Sequence, residues 1–527
     1  MTYTVQIQRG DDSTDLTSGV YAISYTPKYG GAAETVVESS KVRVLGTSTA
    51  NVQSSIRNIE EHFELAKRRR QKGTGDRVYT TFQADGDSDT YRSEIWAENP
   101  ADIPGRVTIL EPTMYNRIFS NYKAVVQVTW ERRNYWELAS EIELPLTNGS
   151  GSGTGGRTVT CVHGATPAID DSTISFDDST EYITDGGAGW DHIIGDIINV
   201  KDSSSNDSVY SIVDFDDSSA WVQVNEPLTN EAAGATVEVY DILDYTHIAD
   251  SDVLGSMSTP LKLKITQADS DITAETFWIG EKYTGSPLTF PHLLEFEDSD
   301  DSTAISSDDS CSGTEYKQYS VTTTEAKIAY WTLPASMVSA ADSAYFKVLV
   351  RFRDLTDITN IRLRLKMTYN SQVLWSGGQV EYDDTYQTST QWREIDTLRI
   401  PPYKLDGATP TPIVLELWAI STTGSTETPK LDCMKLIPVD DYVKLKSNSG
   451  LAYNSVLVFD GILEDYYQEV ASAKVKDISI EGQPLMLWPN SGGRLYYTWN
   501  NDDSTATDKI TSTITVQAYY RPRKATL

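Results

Sequence analysis

The residues best suited to chemistry are few and badly spaced for it. Five histidines, His62, His163, His192, His247 and His292, are scattered along the 527 residues. No HxH or HExxH spacing brings two imidazoles to one ion, so zinc-dependent hydrolysis has no support. His62 falls within a helical pattern among charged residues and reads as an exposed helix position rather than a ligand. No GxSxG elbow precedes a helix, and the glycine cluster GSGSGTGG lacks the Lys-Ser/Thr ending of a phosphate-binding loop. The three cysteines, Cys161, Cys311 and Cys433, contain no CxxC pair and form no disulfide framework. Cys311 and Cys433 lie in one expected domain and are the pair most able to meet; otherwise the usage fits folding in a reducing cytoplasm.

Carboxylates are so abundant that pairs of them discriminate little, although a glycosidase needs two flanking a sugar bond. Two Asp-rich runs, DSDDSTAISSDD (298–309) and VDFDDSS (213–219), offer clustered oxygen ligands of the kind Ca2+ takes. Neither has the glycine and closing Glu of an EF-hand loop, so solvated turns are expected, with Ca2+ in the 287–440 region as the alternative. No other cofactor and no catalytic residue is expected. A sugar-binding face is the remaining candidate. Trp375, Tyr382, Tyr386 and Trp392 cluster in VLWSGGQVEYDDTYQTSTQW, a strand–loop–strand pattern. Aromatic faces stack on sugar rings; core packing is the simpler reading of each one alone, but a group in so polar a stretch should leave at least one exposed.

These residues sit on a chain long enough for roughly three or four domains. Its net charge of −32 repels phosphate backbones and anionic membranes, so neither nucleic-acid binding nor membrane insertion is expected. No window of about 18 apolar residues occurs, and MTYTVQIQRGDD lacks the basic-then-apolar order of a secretion signal. Thirty Tyr and 12 Trp, with abundant Thr, Ser, Asp and Gly, indicate strands separated by tight turns.

The fold class expected is therefore mostly β and multi-domain. Residues 1–145 form a β-sandwich with one α-helix over 53–72, where Ile56, Ile59, Phe63 and Ala66 share one side and Lys67, Arg68, Arg69 and Arg70 close the C-terminal end. Residues 146–157, rich in Gly and Ser, read as a flexible linker. Five short strands over 158–243 suggest a small β-barrel insertion. Seven or eight strands over 287–440 suggest a jelly-roll β-sandwich, with Ile361, Leu363, Leu365 and Met367 facing the core and Arg362, Arg364 and Lys366 facing water. Residues 244–286 and 441–527 are each too small to close a core, so together they form a split β-sandwich into which the jelly roll is inserted.

The C-terminal stretch GGRLYYTWNNDDSTATDKITSTITVQAYYRPRKATL, with Tyr520, Arg521, Pro522 and Arg523 closing its long strand, is similar to the ending of many siphophage tail proteins. The segment from EYITDGGAGW to VEVYD resembles a small β-barrel module of phage structural proteins, with Gly195-Asp196 before a strand and NEAAGA before the last one. The N-terminal β-plus-helix region looks like the ring-forming domain of distal tail proteins. The resemblance implies a homo-oligomeric ring, commonly a hexamer, joining the tail tube protein to baseplate proteins, with inserted, carbohydrate-binding-like domains facing host surface polysaccharide. It also implies synthesis in the host cytoplasm and residence at the virion tail tip, and it carries no catalytic residues. Lys67, Arg68, Arg69 and Arg70 stand out in an acidic chain as a candidate subunit interface. The alternatives are a carbohydrate-binding adhesion protein without a ring role and a glycoside hydrolase on a β scaffold.

Overall fold

A computed structural model describes residues 3–28, 34–72, 76–84, 86–117, 120–148, 151–161, 167–186, 190, 196–216, 219–268, 274–283, 292–308, 311–333, 345–354, 358–383, 391–400, 413–501 and 513–525. Strands account for 61% of the chain and helix for 7%, so the molecule is mostly β. It divides into two units. The first joins Met1–Ile142 to Leu254–Thr259 and Tyr519–Leu527; the second comprises Glu143–Val253 and Pro260–Ala518.

The first unit is two sheets and a helix around one core. One sheet runs in the order Asp12–Asp15, Tyr3–Arg9, Val78–Ala84, Tyr91–Glu94, Trp136–Leu138, Arg523–Lys524. The other runs Tyr21–Ser24, Thr35–Gly46, Asn121–Arg133, Gly105–Asn116, which leaves Gly105–Asn116 at an edge. The long central strands alternate strictly, burying Val42, Val44, Val126, Val128 and Trp130 against Val5, Ile7 and Trp136. The helix Thr49–Lys72 begins one residue after Ser48, whose hydroxyl accepts the Asn51 N–H at 3.2 Å. Its buried stripe is Val52, Ile56, Ile59, His62, Phe63 and Ala66. It thus starts four residues before the expected 53. Gly105 is required at the root of the edge strand, because a Cβ there would meet the Phe63 ring at 2.5 Å.

The second unit is built on a sandwich. One of its sheets runs Thr513–Tyr520, Lys262–Gln267, Val456–Asp460, Asp465–Val470, Ala473–Val475. The other runs Gly151–Gly153, Leu146–Asn148, Tyr245–Ile248, Gly493–Asn501, Ala274–Tyr283, Asp441–Leu451, Ile478–Gly482. Strands before and after the jelly roll therefore interleave: Phe277 sits opposite both Leu445 and Trp499, and Leu263 opposite Phe459. The stretch expected as a flexible linker is part of this sandwich. Leu146–Asn148 pairs with Gly151–Gly153, and Arg157–Thr160 lies on Thr513–Tyr520. Its glycines supply conformation rather than slack: Gly156 has φ of +97°, and a Cβ there would strike the Thr515 side chain at 2.7 Å.

Seven strands form the module expected as a small barrel or sandwich. Their order is Ile169–Asp171, Val237–Asp241, Ile197–Lys201, Ser208–Asp216, Trp221–Val224, Tyr182–Asp185, Ile174–Asp177. Among the described residues the first and last do not pair, so the strands form no closed barrel. The nine-residue strand Ser208–Asp216 serves both halves, and its register shifts between Ile212 and Asp214. The two halves share one core that includes Ile183, Trp190, Ile198, Tyr210, Ile212 and Val239.

The jelly roll is complete by connectivity. In chain order its eight strands are Glu315–Gln318, Ala326–Leu333, Tyr345–Asp354, Asn360–Tyr369, Val380–Asp383, Gln391–Arg399, Ile413–Ser421 and Lys430–Pro438. One sheet holds the first, eighth, third and sixth; the other holds the second, seventh, fourth and fifth. That interleaving is what two nested Greek keys produce. Ile361, Leu363, Leu365 and Met367 are buried as expected, while Arg362 and Arg364 pair with Glu381 and Glu325 at 2.8 and 3.4 Å on the other face.

Candidate assembly surface and buried polar centres

The most unusual surface belongs to the first unit. Gly105–Asn116 and Asn121–Arg133 form a long hairpin whose root packs on the helix and whose outer part lies beyond the core. There Ile109, Leu110, Met114 and Tyr115 are 61%, 43%, 60% and 52% exposed, a cluster of apolar side chains that a soluble monomer rarely presents together. Register shifts at Ile109/Glu111 and Glu111/Met114, the second spanning Pro112, interrupt the ladder along this strand. At the hairpin's root lies a groove of about 650 Å³ lined by Val37, Lys67, Ile103, Pro104, Arg106 and Trp130, among others.

Charge is divided unevenly along the chain. Residues 1–142 hold 17 Lys and Arg against 19 Asp and Glu, a net of −2 within the total of −32. Nearly all the self-repulsion therefore belongs to the remainder, and residues 1–142 can approach their like with little electrostatic cost.

The basic end of the helix is more occupied than its sequence suggests. The Arg70 guanidinium lies 3.7 Å from the Trp96 ring centre, as does that of Arg133, so this tryptophan is clasped by two cations. Arg68 is exposed, and Lys67 and Arg69 are half-buried. The same unit encloses an ion pair: Arg132 donates to Glu38 Oε1 from Nε and Nη2 at 3.1 and 2.8 Å, and Tyr25 donates to Glu38 Oε2. Burial, together with the Glu38 charge, raises the Tyr25 hydroxyl far above its usual range.

His62 corrects the expectation of an exposed helix residue. It is buried in the helix's apolar stripe, with Nε2 3.0 Å from Thr14 Oγ1, because position 62 lies one turn beyond Ile59 on the covered face. Burial lowers its pKa. His247 is half-buried; burial, reinforced by the nearby Arg494 charge, lowers it to about 4. His163 and His192 lie outside the described residues.

Sequence reading missed the centre at His292. Its Nε2 is 2.6 Å from Asp244 Oδ1, and Lys435 Nζ is 2.5 Å from Asp244 Oδ2. All three are essentially inaccessible, and the imidazole rests against Tyr496 with ring centres 4.6 Å apart. Lys435 also donates to the Cys161 and Tyr497 carbonyls. Burial alone would raise the Asp244 carboxyl; the His292 and Lys435 charges outweigh it and hold it at about 2. Asp and His in contact resemble half of a catalytic triad, but solvent cannot reach this pair. Its evident work is to tie the first and last segments of the jelly roll to the parent sandwich. The available signal was a lysine in the middle of KLDCMKLIP, a strand otherwise almost wholly buried.

Among the described residues, two of the four proposed sugar-stacking side chains are buried. Tyr382 and Trp392 are core residues: Tyr382 donates its hydroxyl proton to the Glu394 carbonyl at 2.7 Å, and Trp392 donates from Nε1 to Cys161 Sγ at 3.1 Å. Tyr382 packs on Phe352 within the jelly roll, whereas Trp392 packs against Cys161 and Lys435 where the jelly roll meets the parent sandwich; aromatic size favours burial in both places. Trp375 is half-buried on Gln372–Ser376, and Tyr386 lies outside the described residues.

The acidic run also departs from a solvated turn, because its carboxylates accept from the protein's own donors. Asp298 meets Lys201 Nζ at 2.8 Å. Asp300 takes the Thr332 N–H and hydroxyl at 2.8 and 2.6 Å. Asp301 takes the Tyr319 hydroxyl at 3.1 Å, and Asp308 meets Arg353 at 2.6 Å. Asp309, and Asp217 and Ser218 of the second run, lie outside the described residues. Among the described residues, one His/Cys/Asp/Glu group is tight enough to surround an ion: Glu295, Asp432 and Cys433. The Arg351 guanidinium already contacts Asp432 there, and Ser312 donates to both carboxylates. A set whose positive charge is an arginine and whose third member is a buried thiol suits Ca2+ poorly. Cys161, Cys311 and Cys433 are all free and buried, so the Cys311–Cys433 pair is not bridged. No helix among the described residues is long and apolar enough to cross a membrane.

No protein-family model matches the chain, and no curated protein does. Among solved structures, an exo-β-1,3-galactanase of Phanerochaete chrysosporium, determined with galactose, aligns at 12% identity over 68% of this chain and 89% of its own, with a TM-score of 0.19. Infectious bursal disease virus, Gt strain, aligns at 8% identity over 73% of this chain and 82% of its own, with a TM-score of 0.16. Likenesses this slight bear on neither the fold nor the function.

Proposed function

We propose that this chain is a structural component of a bacteriophage tail tip, of the distal-tail type, whose first unit assembles into a ring and whose remaining domains are carried as insertions. One observation carries the reading. The chain leaves the first unit after Ile142, rejoins it over Leu254–Thr259 and returns at Tyr519, so that two long segments, Glu143–Val253 and Pro260–Ala518, are inserted into a small unit of two sheets and a helix. A scaffold that completes itself with the chain's last strand, Arg523–Lys524 beside Trp136–Leu138, can carry large insertions without losing its core. The near-neutral charge of residues 1–142 and the exposed apolar hairpin support self-association, and the acidity of the remainder favours solubility before assembly. In this reading the jelly roll faces the host surface, and the protein performs no catalysis.

The complete jelly-roll connectivity also suits the second reading, an adhesion protein that binds carbohydrate without forming rings. Mass photometry and negative-stain microscopy of the purified chain separate the two. The tail-tip reading expects closed particles of one copy number; a strict monomer at high concentration that retains glycan binding supports the adhesion reading instead.

A further inference from the structure

We propose that the Lys201 amine and the Asp298 carboxyl condense into an intramolecular amide bond that fastens the seven-stranded module to the base of the jelly roll. Such a bond requires no second copy and no outside ligand. Lys201 ends the strand Ile197–Lys201, and Asp298 follows the short strand Leu293–Glu295. Lys201 Nζ lies 2.8 Å from Asp298 Oδ1 and 3.1 Å from Glu297 Oε1. The side chains of Lys201, Glu297 and Asp298 are 7%, 1% and 11% exposed. An amine, a carboxyl and a second acid are thus held together with little access to bulk water. Phe296 anchors this segment by packing edge-on against Tyr319 and Trp331. Trp331 also donates from Nε1 to the Glu295 carbonyl at 3.0 Å, so the carboxyls are not free to turn outward.

A permanent ion pair is a costly occupant of this place, because attraction repays only part of the cost of taking two charges out of water. Burial alone would lower the Lys201 pKa; the Asp298, Glu297 and Glu295 charges outweigh it, so the amine starts as an ammonium. Burial, with the charges of Glu295, Asp298 and Asp432, pushes the Glu297 carboxyl well above its usual range against the opposing Lys201 charge. Glu297 is therefore a neutral acid, and Asp298, at 2.8 Å, is the partner that holds the ammonium. The buried Glu297 Oε2 meets no donor among the described residues, whereas an ionised oxygen would need one.

The chemistry follows from that starting state. One proton passes from the ammonium to the Asp298 carboxylate, leaving a neutral amine and a neutral acid. The amine lone pair attacks Asp298 Cγ, and a C–N bond forms. Glu297 gives its proton to the departing hydroxyl and takes one from the nitrogen, so it ends as it began. The C–O bond breaks and one water leaves. Ammonium plus carboxylate thus becomes amide plus water, and no oxidant or nucleotide is consumed. Reactants fixed in such proximity gain effective concentrations on the order of 10⁵–10⁸ M, and the product removes two charges from the interior. A cavity of about 200 Å³, lined by Asp298, Asp207, Val209 and Leu293 among others, receives the water. The linked residues are 97 positions apart. Tension along the chain would pass through the bond and spare residues 202–297, and the closed loop would also restrict the unfolded chain.

The test is intact-mass spectrometry of the denatured full chain. Wild type should be lighter than its sequence by one water. Trypsin should fail to cut after Lys201 and should release a branched peptide joining residues 158–262 to residues 283–317. Lys201→Arg and Glu297→Gln should each restore the full sequence mass, with near-UV circular dichroism showing that they fold. Wild type at its full sequence mass overturns the proposal, whatever the variants do. A water loss that hydroxylamine reverses marks a succinimide, and one that maps to another pair marks a different bond; either overturns it as well. A Lys201–Asp298 linkage that persists in Glu297→Gln would overturn the role given to Glu297.

Discussion

At the scale of single residues, the chemistry of this protein is turned inward. Asp244, His292 and Lys435 hold the ingredients of acid–base catalysis yet are sealed from solvent. Their electrostatics act on stability. The Asp244 carboxyl is held at about 2 in the folded chain, below the value of about 3.9 expected unfolded. A depressed carboxylate contributes stability above its unfolded value, and that contribution is lost as pH falls through the interval from about 3.9 to about 2. Asp244→Asn should destabilise the second unit by about 3–5 kcal/mol near neutral pH, because Lys435 is left buried without its counter-charge. Urea unfolding followed by tryptophan fluorescence checks this. Lys435→Met added to Asp244→Asn should recover part of the loss, and a double variant no better than the single one would contradict the pairing. Single residues were also where sequence reading was weakest. Core packing was the simpler sequence reading of Tyr382 and Trp392 one by one, and both are buried; which member of the aromatic group would be exposed was not legible, because either face of a strand can be the covered one until its sheet has a partner.

Elements were legible where their signals are local. The alternation in IRLRLKMTY placed Ile361 to Met367 inside, and the apolar spacing of the helix placed Ile56, Ile59, Phe63 and Ala66 on its covered side. The Gly/Ser stretch misled, since the same composition that makes a slack linker also makes a tight hairpin where strands crowd; Gly156 against Thr515 shows which occurred. Gly105 offers the sharpest test at this scale. An alanine there would drive its methyl into the Phe63 ring. Gly105→Ala should therefore cost about 1–3 kcal/mol through overpacking, read as a lower denaturation midpoint. Phe63→Leu should be less damaging in that background than in the wild type. Additive effects of the two changes would remove the proposed contact.

At the scale of the whole molecule, the decisive property is the uneven division of charge along the chain. Residues 1–142 are nearly neutral and carry the exposed hairpin, while the remainder holds nearly all of the net −32. Self-association then opposes long-range repulsion to short-range apolar contact. Raising salt from about 0.05 M to about 0.5 M shortens the screening length from roughly 14 Å to roughly 4 Å. Assembly should therefore strengthen with salt, with the oligomeric fraction measured by mass photometry at matched protein concentration. Dissociation by salt would mean that ion pairs, and not the apolar tip, hold the copies together.

What the sequence determined by itself is what neighbouring residues decide: the β-rich class, the one helix, the strands of the jelly roll and the paucity of catalytic spacing. Alternation, turn residues and charge act over a few positions and survive without a fold. Only the tertiary structure decided which strands are partners, as when Phe277 meets both Leu445 and Trp499 across the inserted jelly roll. It alone decided that the seven-stranded module stays open and that His62 and His292 are sealed. It also left the hairpin tip uncovered. Burial is a property of what packs against a residue, and those partners lie tens to hundreds of positions away in the chain.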